Sequence, residues 1–313
     1  MKHLCRVLLA SLLVVTVSWG AKPPAGKTGS GRAAIGVRSA DPYLGAIVVD
    51  AESGAVLFED KADEPGYPAS VIKLMVSLLI EERVKAGQMA LTDSVQVTPE
   101  AAAIGGSQVY LDPKETFPVE ELVAALVIHS ANDAAAALAI HVAGTRNAFV
   151  DLMNKRAAEL GMKATRFHSV HGLPPAAGQE PDVSTARDLS MLARELLGKH
   201  PDVIRFSSQQ NRPFRNGAFT LRNPNHLLGT YSGCDGLKTG YFKAGGFSIV
   251  STAQRNGRRV IAVVVGCADR KVRDATAMDL LSKGFLAQEQ LPVAVVAGEA
   301  PAAAAVIAPA AVH

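Results

Sequence analysis

Tyr67-Pro68-Ala69-Ser70-Val71-Ile72-Lys73-Leu74-Met75-Val76-Ser77-Leu78-Leu79-Ile80 is the stretch on which the fold of this chain turns. From Val71 to Ile80 it is apolar on nearly every side, which suits a helix surrounded by other elements. Proline just ahead of a helix start is an entry signal. The stretch therefore predicts a buried helix with Ser70 at its head. Residues three apart share a helix face, so Ser70 Oγ and Lys73 Nζ can meet. The positive end of the helix dipole also favours an alkoxide at Ser70.

A serine hydroxyl is a weak nucleophile until a base takes its proton. An ordinary lysine, with a pKa of ~10.4, is protonated at neutral pH and cannot be that base. Burial and a second cation both lower a lysine pKa. Lys238 is the candidate for the second cation.

Two further motifs complete the pattern. Ser130-Ala131-Asn132 precedes the alanine-rich run Asp133 to Ala139, for which Asn132 or Asp133 is the expected N-cap. In a chemical reading, Ser130 relays a proton between Lys73 and a leaving amine, and Asn132 holds a substrate amide and Lys73 in register. Lys238-Thr239-Gly240, inside Asp235 to Tyr241, reads as an edge strand to which an extended peptide can add. Gly240 would admit a substrate backbone, and Lys238 with Thr239 would receive a carboxylate. The Tyr241 N–H, paired with that of Ser70, would form an oxyanion hole. Each motif alone reads equally as a solvated helix face, a cap or a turn. All three in this order describe serine acyl transfer with a lysine base.

On these motifs the chain resembles the serine D-Ala-D-Ala peptidases, the low-molecular-mass penicillin-binding proteins of the carboxypeptidase and endopeptidase type. The resemblance runs from about Pro42 to Phe285 and includes Phe149 to Asn154, Leu160-Gly161-Met162 and His171-Gly172-Leu173. It implies Ser70 as the acylated nucleophile, Lys73 as general base, and Ser130 and Asn132 as relay and positioning groups. Lys238 and Thr239 would face the substrate carboxylate. Arg273 falls where some members place a carboxylate-binding arginine; read without the resemblance, it is a solvated residue ahead of the last helix. The implied substrates are peptidoglycan stem peptides, with β-lactams as covalent inhibitors and no cofactor. The residues after Phe285 are alanine- and valine-rich and lack a basic amphipathic face. This is similar to the shorter endopeptidase-type members, so crosslink cleavage is favoured slightly over removal of terminal D-Ala.

The resemblance and the strand pattern together predict an α/β chain of the α+β type. A five-stranded, mostly antiparallel sheet is flanked by helices and carries an inserted all-helical lobe, as in the β-lactamase/transpeptidase-like fold. One hairpin joins Ala46–Asp50 to Val56–Phe58 through Glu52-Ser53-Gly54. A second joins Phe247–Gln254 to Val260–Val265 through Asn256-Gly257. Leu237–Phe242 makes the fifth strand, with Ser70 at the seam between lobes. Helix stops are expected at Gly161 and Gly198, a loop-rich excursion near the cleft over Gln88–Glu121, and a last helix over Ala275–Leu286. Cys234 and Cys267 fall on strands separated by a third, so no bond between them is expected.

Met1-Lys2-His3 and Arg6, the apolar run Val7–Val17 and Ser18-Trp19-Gly20 read as a secretory signal peptide over 1–20. Residues 21–40 read as a flexible linker, 41–287 as the catalytic domain, and 288–313 as an alanine-rich tail expected to be disordered. An exported location, in the periplasm or cell envelope, follows, with an uncleaved N-terminal segment as an optional membrane tether. The chain has 32 basic and 29 acidic side chains, two of the basic ones in the leader, and no basic block that would suggest nucleic acid. His168 and His171 have helix-like spacing, but Gly172-Leu173-Pro174-Pro175 follows and no carboxylate stands at a zinc-ligand spacing. No metal is therefore expected; His171 reads as structural, His129 and His226 as ordinary. Class A β-lactamases add a loop glutamate that hydrolyses the acyl-enzyme. No Glu-x-x-Leu-Asn lies between Asn132 and Lys238, so a β-lactamase-type hydrolase on this scaffold remains an alternative without that residue. A non-hydrolytic penicillin-binding or wall-binding protein is the other.

Overall fold

A computed structural model of the chain describes residues 42–290. The expected signal peptide, the linker and nearly all of the tail lie outside the described residues. In chain order the elements are β1 (Gly45–Asp50), β2 (Val56–Asp60), α1 (Lys73–Lys85), β3 (Ser94–Gln96), α2 (Pro99–Ala102), β4 (Thr116–Pro118), α3 (Val119–Ile128), α4 (Asn132–Ala143) and α5 (Arg146–Glu159). Then come α6 (Ala186–Lys199), α7 (Ile204–Ser207), β5 (Asn211–Phe214), β6 (Phe219–Arg222), β7 (Cys234–Phe242), β8 (Gly246–Arg255), β9 (Arg258–Cys267) and α8 (Arg270–Glu289).

The main sheet has the order β2-β1-β9-β8-β7 with every pairing antiparallel. Its two hairpins close as their turn residues require. Asp50 Oδ1 accepts the Glu52 and Ser53 N–H groups at 3.1 and 2.7 Å, and Gly54 adopts φ +77°. Asn256 and Gly257 take φ values of 50° and 77°, the left-handed pair that a two-residue hairpin favours. Alternation along the strands then sends side chains to two cores. Ile47, Val49, Val250, Ile261 and Val263 pack toward α1, α3, α4 and α6. Ala46, Val48, Ile249, Val260 and Val264 pack toward Ala277, Leu280 and Leu281 of α8. At Gly284 a Cβ would come within 2.7 Å of Val48 and 2.6 Å of Val260, so α8 lies close on the sheet there.

The apolar run from Val71 to Ile80 is the centre of the first core. Leu74, Met75, Val76, Leu78 and Ile80 are at most 1% exposed. Burying each of the large aliphatic side chains contributes about 1.5–3 kcal/mol. The alanines of α4 fit between neighbours on several sides, and Ala134–Ala136 have no exposed surface.

The structure differs from the sequence expectations at several points. Ser70 lies not in the α-helix but in a 3-10 turn, Ala69–Ile72, and Lys73 opens α1. The N-cap of α4 is Ala131 rather than Asn132 or Asp133. Both of those side chains are drawn to other partners, described below. Gly161 ends its helix region with φ +77° as expected, but α6 runs through Gly198 to Lys199. The break comes instead at His200, which Pro201 excludes from helical geometry. The last helix starts at Arg270, capped by Asp269 through the Lys271 and Val272 N–H groups, and continues to Glu289. Arg273 is therefore a buried residue of the helix's first turn, not a solvated residue ahead of it. Within Gln88–Glu121, β3 and β4 form a short ribbon. A second ribbon, β5 with β6, was not foreseen at all. Cys234 and Cys267 are free, at the start of β7 and the end of β9.

Candidate active site

Four segments distant in sequence meet around Ser70. The turn carrying it is held from two sides. At Gly240 on β7, a Cβ would stand 2.5 Å from Pro68 O and 3.1 Å from Ser70 N. At Gly172, which has φ +76°, a Cβ would stand 2.2 Å from Ala69 O. Ala69 itself has φ +50°, a backbone setting that costs a non-glycine residue free energy and persists where its surroundings impose it. Both glycines allow direct backbone contact with the serine turn. Gly240 thus makes room for the chain's own turn.

Lys73 is 1% exposed and its ammonium nitrogen meets three oxygens: Ser70 Oγ at 2.8 Å, Asn132 Oδ1 at 2.7 Å and His171 O at 2.7 Å. The two last are acceptors only. They can hold both hydrogens of a neutral amine and leave its lone pair directed at the serine hydroxyl. Burial is the main force holding the Lys73 pKa well below the ordinary lysine range, and the Lys238 cation adds to it. Asp182 and Asp133 oppose the shift in part.

Asn132 is fixed at its other end by Nδ2 donating to Gly105 O at 2.8 Å, and its N–H donates to Ser107 O at 2.7 Å. Ser130, at φ +63°, accepts a hydrogen bond from Lys238 Nζ at 2.9 Å. Ser130 is thus tied to Lys238. Lys238 is 2% exposed. Burial, followed by the Arg273 charge, brings its pKa down to about 7. Arg273, also 2% exposed, is joined through Nε to Asp274 Oδ1 at 2.8 Å. β7 is the edge strand of the sheet, as expected, and Tyr241 on it stacks on Phe247 at a centroid distance of 4.1 Å while remaining 55% exposed. Thr239 lies between Lys238 and Gly240, with 6% of its surface exposed.

Sequence reasoning missed three contributors. The His171 carbonyl is a ligand of Lys73, and a backbone group has no side-chain signature. Asp182 shapes the loop that presents it, accepting from His168 N, Ser169 N and Ser169 Oγ at 2.6, 2.9 and 2.6 Å. The His171 ring accepts the Leu173 N–H through Nδ1, and burial holds its pKa down to about 4. Asp133 accepts from Val109 N and Leu111 N, so it anchors the loop above Asn132. Among the described residues no three His, Cys, Asp or Glu side chains converge as a metal site.

Comparison with known proteins gives a consistent result. The family described as D-alanyl-D-alanine carboxypeptidase matches residues 42–269. The chain is 35% identical over 251 residues to the D-alanyl-D-alanine carboxypeptidase DacF of Bacillus subtilis, covering 79% of this chain and 63% of that protein. It is 36% identical over 246 residues to DacA of Escherichia coli, covering 76% of this chain and 60% of that one. The chain therefore spans somewhat over half the length of these relatives. Among solved structures, penicillin-binding protein D2 of Listeria monocytogenes in an ampicillin-bound form superposes with a TM-score of 0.71 at 33% identity, covering 78% of this chain and 97% of that one. The D-alanyl-D-alanine carboxypeptidase DacD of Francisella tularensis superposes with a TM-score of 0.73 at 27% identity, over 80% and 72% of the two chains. The sheet and its helical lobe are the transpeptidase-like fold expected from the motifs.

Proposed function

The chain belongs to the D-alanyl-D-alanine carboxypeptidase family, and on that footing we propose that it is a serine D,D-peptidase acting on peptidoglycan stem peptides. The observation that carries the reading is the Lys73 amine, 2.8 Å from Ser70 Oγ with two pure acceptors on its other side. Lys73 takes the Ser70 proton as Oγ attacks the carbonyl carbon of the penultimate D-Ala. The oxyanion is received by the Ser70 and Tyr241 N–H groups. Ser130, whose oxygen already accepts from Lys238, has its own hydrogen to give to the leaving amine. The C–N bond then breaks, and the proton that Lys73 took from Ser70 replaces the one Ser130 gave, so Lys73 is neutral again and Lys238 keeps its charge. Water attacks the resulting ester, with Lys73 again as base, and restores Ser70.

Lys238, Thr239 and Arg273 form the region for the terminal carboxylate, while Gly240 and Tyr241 offer β7 to the peptide backbone. Lys238 and Arg273, both buried and close enough to influence each other, suit a free carboxylate; the carboxypeptidase direction is supported by the family match. β-Lactams acylate the same serine. A cell-envelope location, with or without an N-terminal tether, follows from the substrate; no helix among the described residues is long and apolar enough to cross a membrane. Incubation with purified sacculi followed by muropeptide analysis tests the reading. Pentapeptides should shorten to tetrapeptides. Unchanged pentapeptides and unchanged crosslinks would refute it.

A further inference from the structure

His129 stands immediately before Ser130 and closes α3 as its C-cap. Its half-buried ring joins two parts of the protein that are far apart in sequence. Arg222 N, on β6, donates to Nδ1 at 3.1 Å. A ring nitrogen that accepts carries no hydrogen, so the imidazole is neutral with its hydrogen on Nε2. Burial keeps the ring pKa below the ordinary histidine value, which preserves the acceptor at neutral pH. Phe219, also on β6, meets the ring edge-on at 5.3 Å. The β5–β6 ribbon is a braced partner for this contact, because Arg212 pairs with Glu121 at 2.6 Å and Arg215 with Glu115 at 2.8 Å.

Ser130 has φ +63°, a setting that costs a non-glycine residue free energy and persists only where its surroundings over-determine it. The main chain on both sides is accordingly held. His129 N donates to Ala125 O at 3.2 Å, and His129 O accepts from Ser107 Oγ at 2.9 Å. Ala131 N donates to Ala125 O at 3.0 Å and Asn132 N to Ser107 O at 2.7 Å. These bonds tie the segment to α3 and to the loop around Ser107. The His129 ring adds a strut to the ribbon. Ser130 Oγ has to accept from Lys238 while aiming its own hydrogen at the departing amine. Aim in two directions at once tolerates little displacement.

We propose that His129 is a positioning residue that holds Ser130 in line to protonate the leaving amine, through the hydrogen bond its neutral ring accepts from the β5–β6 ribbon. The proposal rests on the D,D-peptidase reading above. The test uses the full chain and two substrates with the same acyl part: a peptide ending in D-Ala-D-Ala, and its thiolester analogue with sulfur in place of the scissile nitrogen. A thiolate leaves without a proton, whereas an amine needs one. H129F keeps an aromatic ring against Phe219 and loses the acceptor. Its kcat/KM, which reports acylation, should fall about fivefold on the peptide and stay at the wild-type value on the thiolester. H129N puts Oδ1 near the place of Nδ1 and should restore the peptide rate. Arg222→Pro removes the donor, so it should reproduce the selective loss, and combined with H129F it should lose no more than either alone. Equal losses on both substrates in H129F, no loss on the peptide, or losses that multiply in the double variant overturn the proposal. A wild type that turns over neither substrate and takes no penicillin adduct would instead overturn the peptidase reading, and this proposal with it.

Discussion

Lys238 Nζ donates to Ser130 Oγ at 2.9 Å, so the third motif is bonded directly to the second. Together with the Lys73–Asn132 bond at 2.7 Å, this ties both lysines to the Ser130–Asn132 segment, and the Arg273 charge acts on Lys238 from beyond it. The two lysines are asked to be in opposite states. Lys73 must be neutral to act as base, and Lys238 must be charged to receive a carboxylate.

A bell-shaped pH profile follows. The rising limb of kcat/KM belongs to Lys73, whose pKa is held well below the lysine range by burial and then by Lys238. The falling limb belongs to Lys238, which loses its proton at about 7 in the free enzyme. Arginine stays protonated throughout this range. Lys238→Arg should therefore remove the falling limb while leaving the rising one. A falling limb unmoved in that variant would contradict the assignment.

Gly240→Ala should lower the rate of acylation by about 10²-fold, because its Cβ displaces the serine turn and small misplacements of reacting groups are costly. Gly172→Ala, with a closer clash and a positive φ, should be more damaging and also lower the melting temperature. Gly198→Ala is the control: nothing lies within 4 Å of its Cβ, and in the last turn of α6 the change should stabilise by at most about 0.5 kcal/mol. Stopped-flow acylation and thermal melts check all three. Equal rates for Gly240→Ala and Gly198→Ala would remove the serine turn from the account.

Arg273→Ala should raise KM for peptides with a free C-terminal carboxylate by about tenfold or more, since one lost charge-assisted hydrogen bond is worth about 1.5–3 kcal/mol. Peptides amidated at the C-terminus should lose little. An equal loss on both would mean that Arg273 serves the fold, through its pairing with Asp274, rather than the carboxylate.

His171 makes stability fall in mild acid. Burial first, then the Lys73 and Arg146 charges, lowers its folded pKa from 6.5 to about 4. Between these values the unfolded chain binds the proton and the folded chain does not, so stability drops as pH falls through that window. Denaturant titrations of wild type and His171→Asn at pH 6.5 and pH 4 should show a smaller drop in the variant. Parallel curves would show that other groups set the acid limb.

Much of the sheet and site was readable because each part has a local signature. Asn256-Gly257 marks a hairpin, and the Ser70–Lys73 spacing brings a nucleophile and a base onto one turn. What escaped depends on groups without such signatures. The His171 carbonyl could be any backbone oxygen; the glycine that follows it, Gly172, is the one sequence feature that marks a close backbone approach there. Asn132 and Asp133 have ideal capping side chains, but tertiary partners outcompete the helix end for both. The β5–β6 ribbon contains Pro213 and charged residues and lacks an alternating pattern; long-range pairs such as Arg212–Glu121 and Arg215–Glu115 bind it to the helical lobe. Asp269 was a legible cap for the last helix, and reading it would have placed Arg273 in the buried first turn.

The most direct test of the central claim is intact-mass spectrometry of wild type and Ser70→Ala after exposure to penicillin. The account predicts one adduct of the drug's mass per wild-type molecule and none on the variant. Folded wild type without an adduct, or an adduct that persists on Ser70→Ala, would contradict a serine nucleophile activated by Lys73.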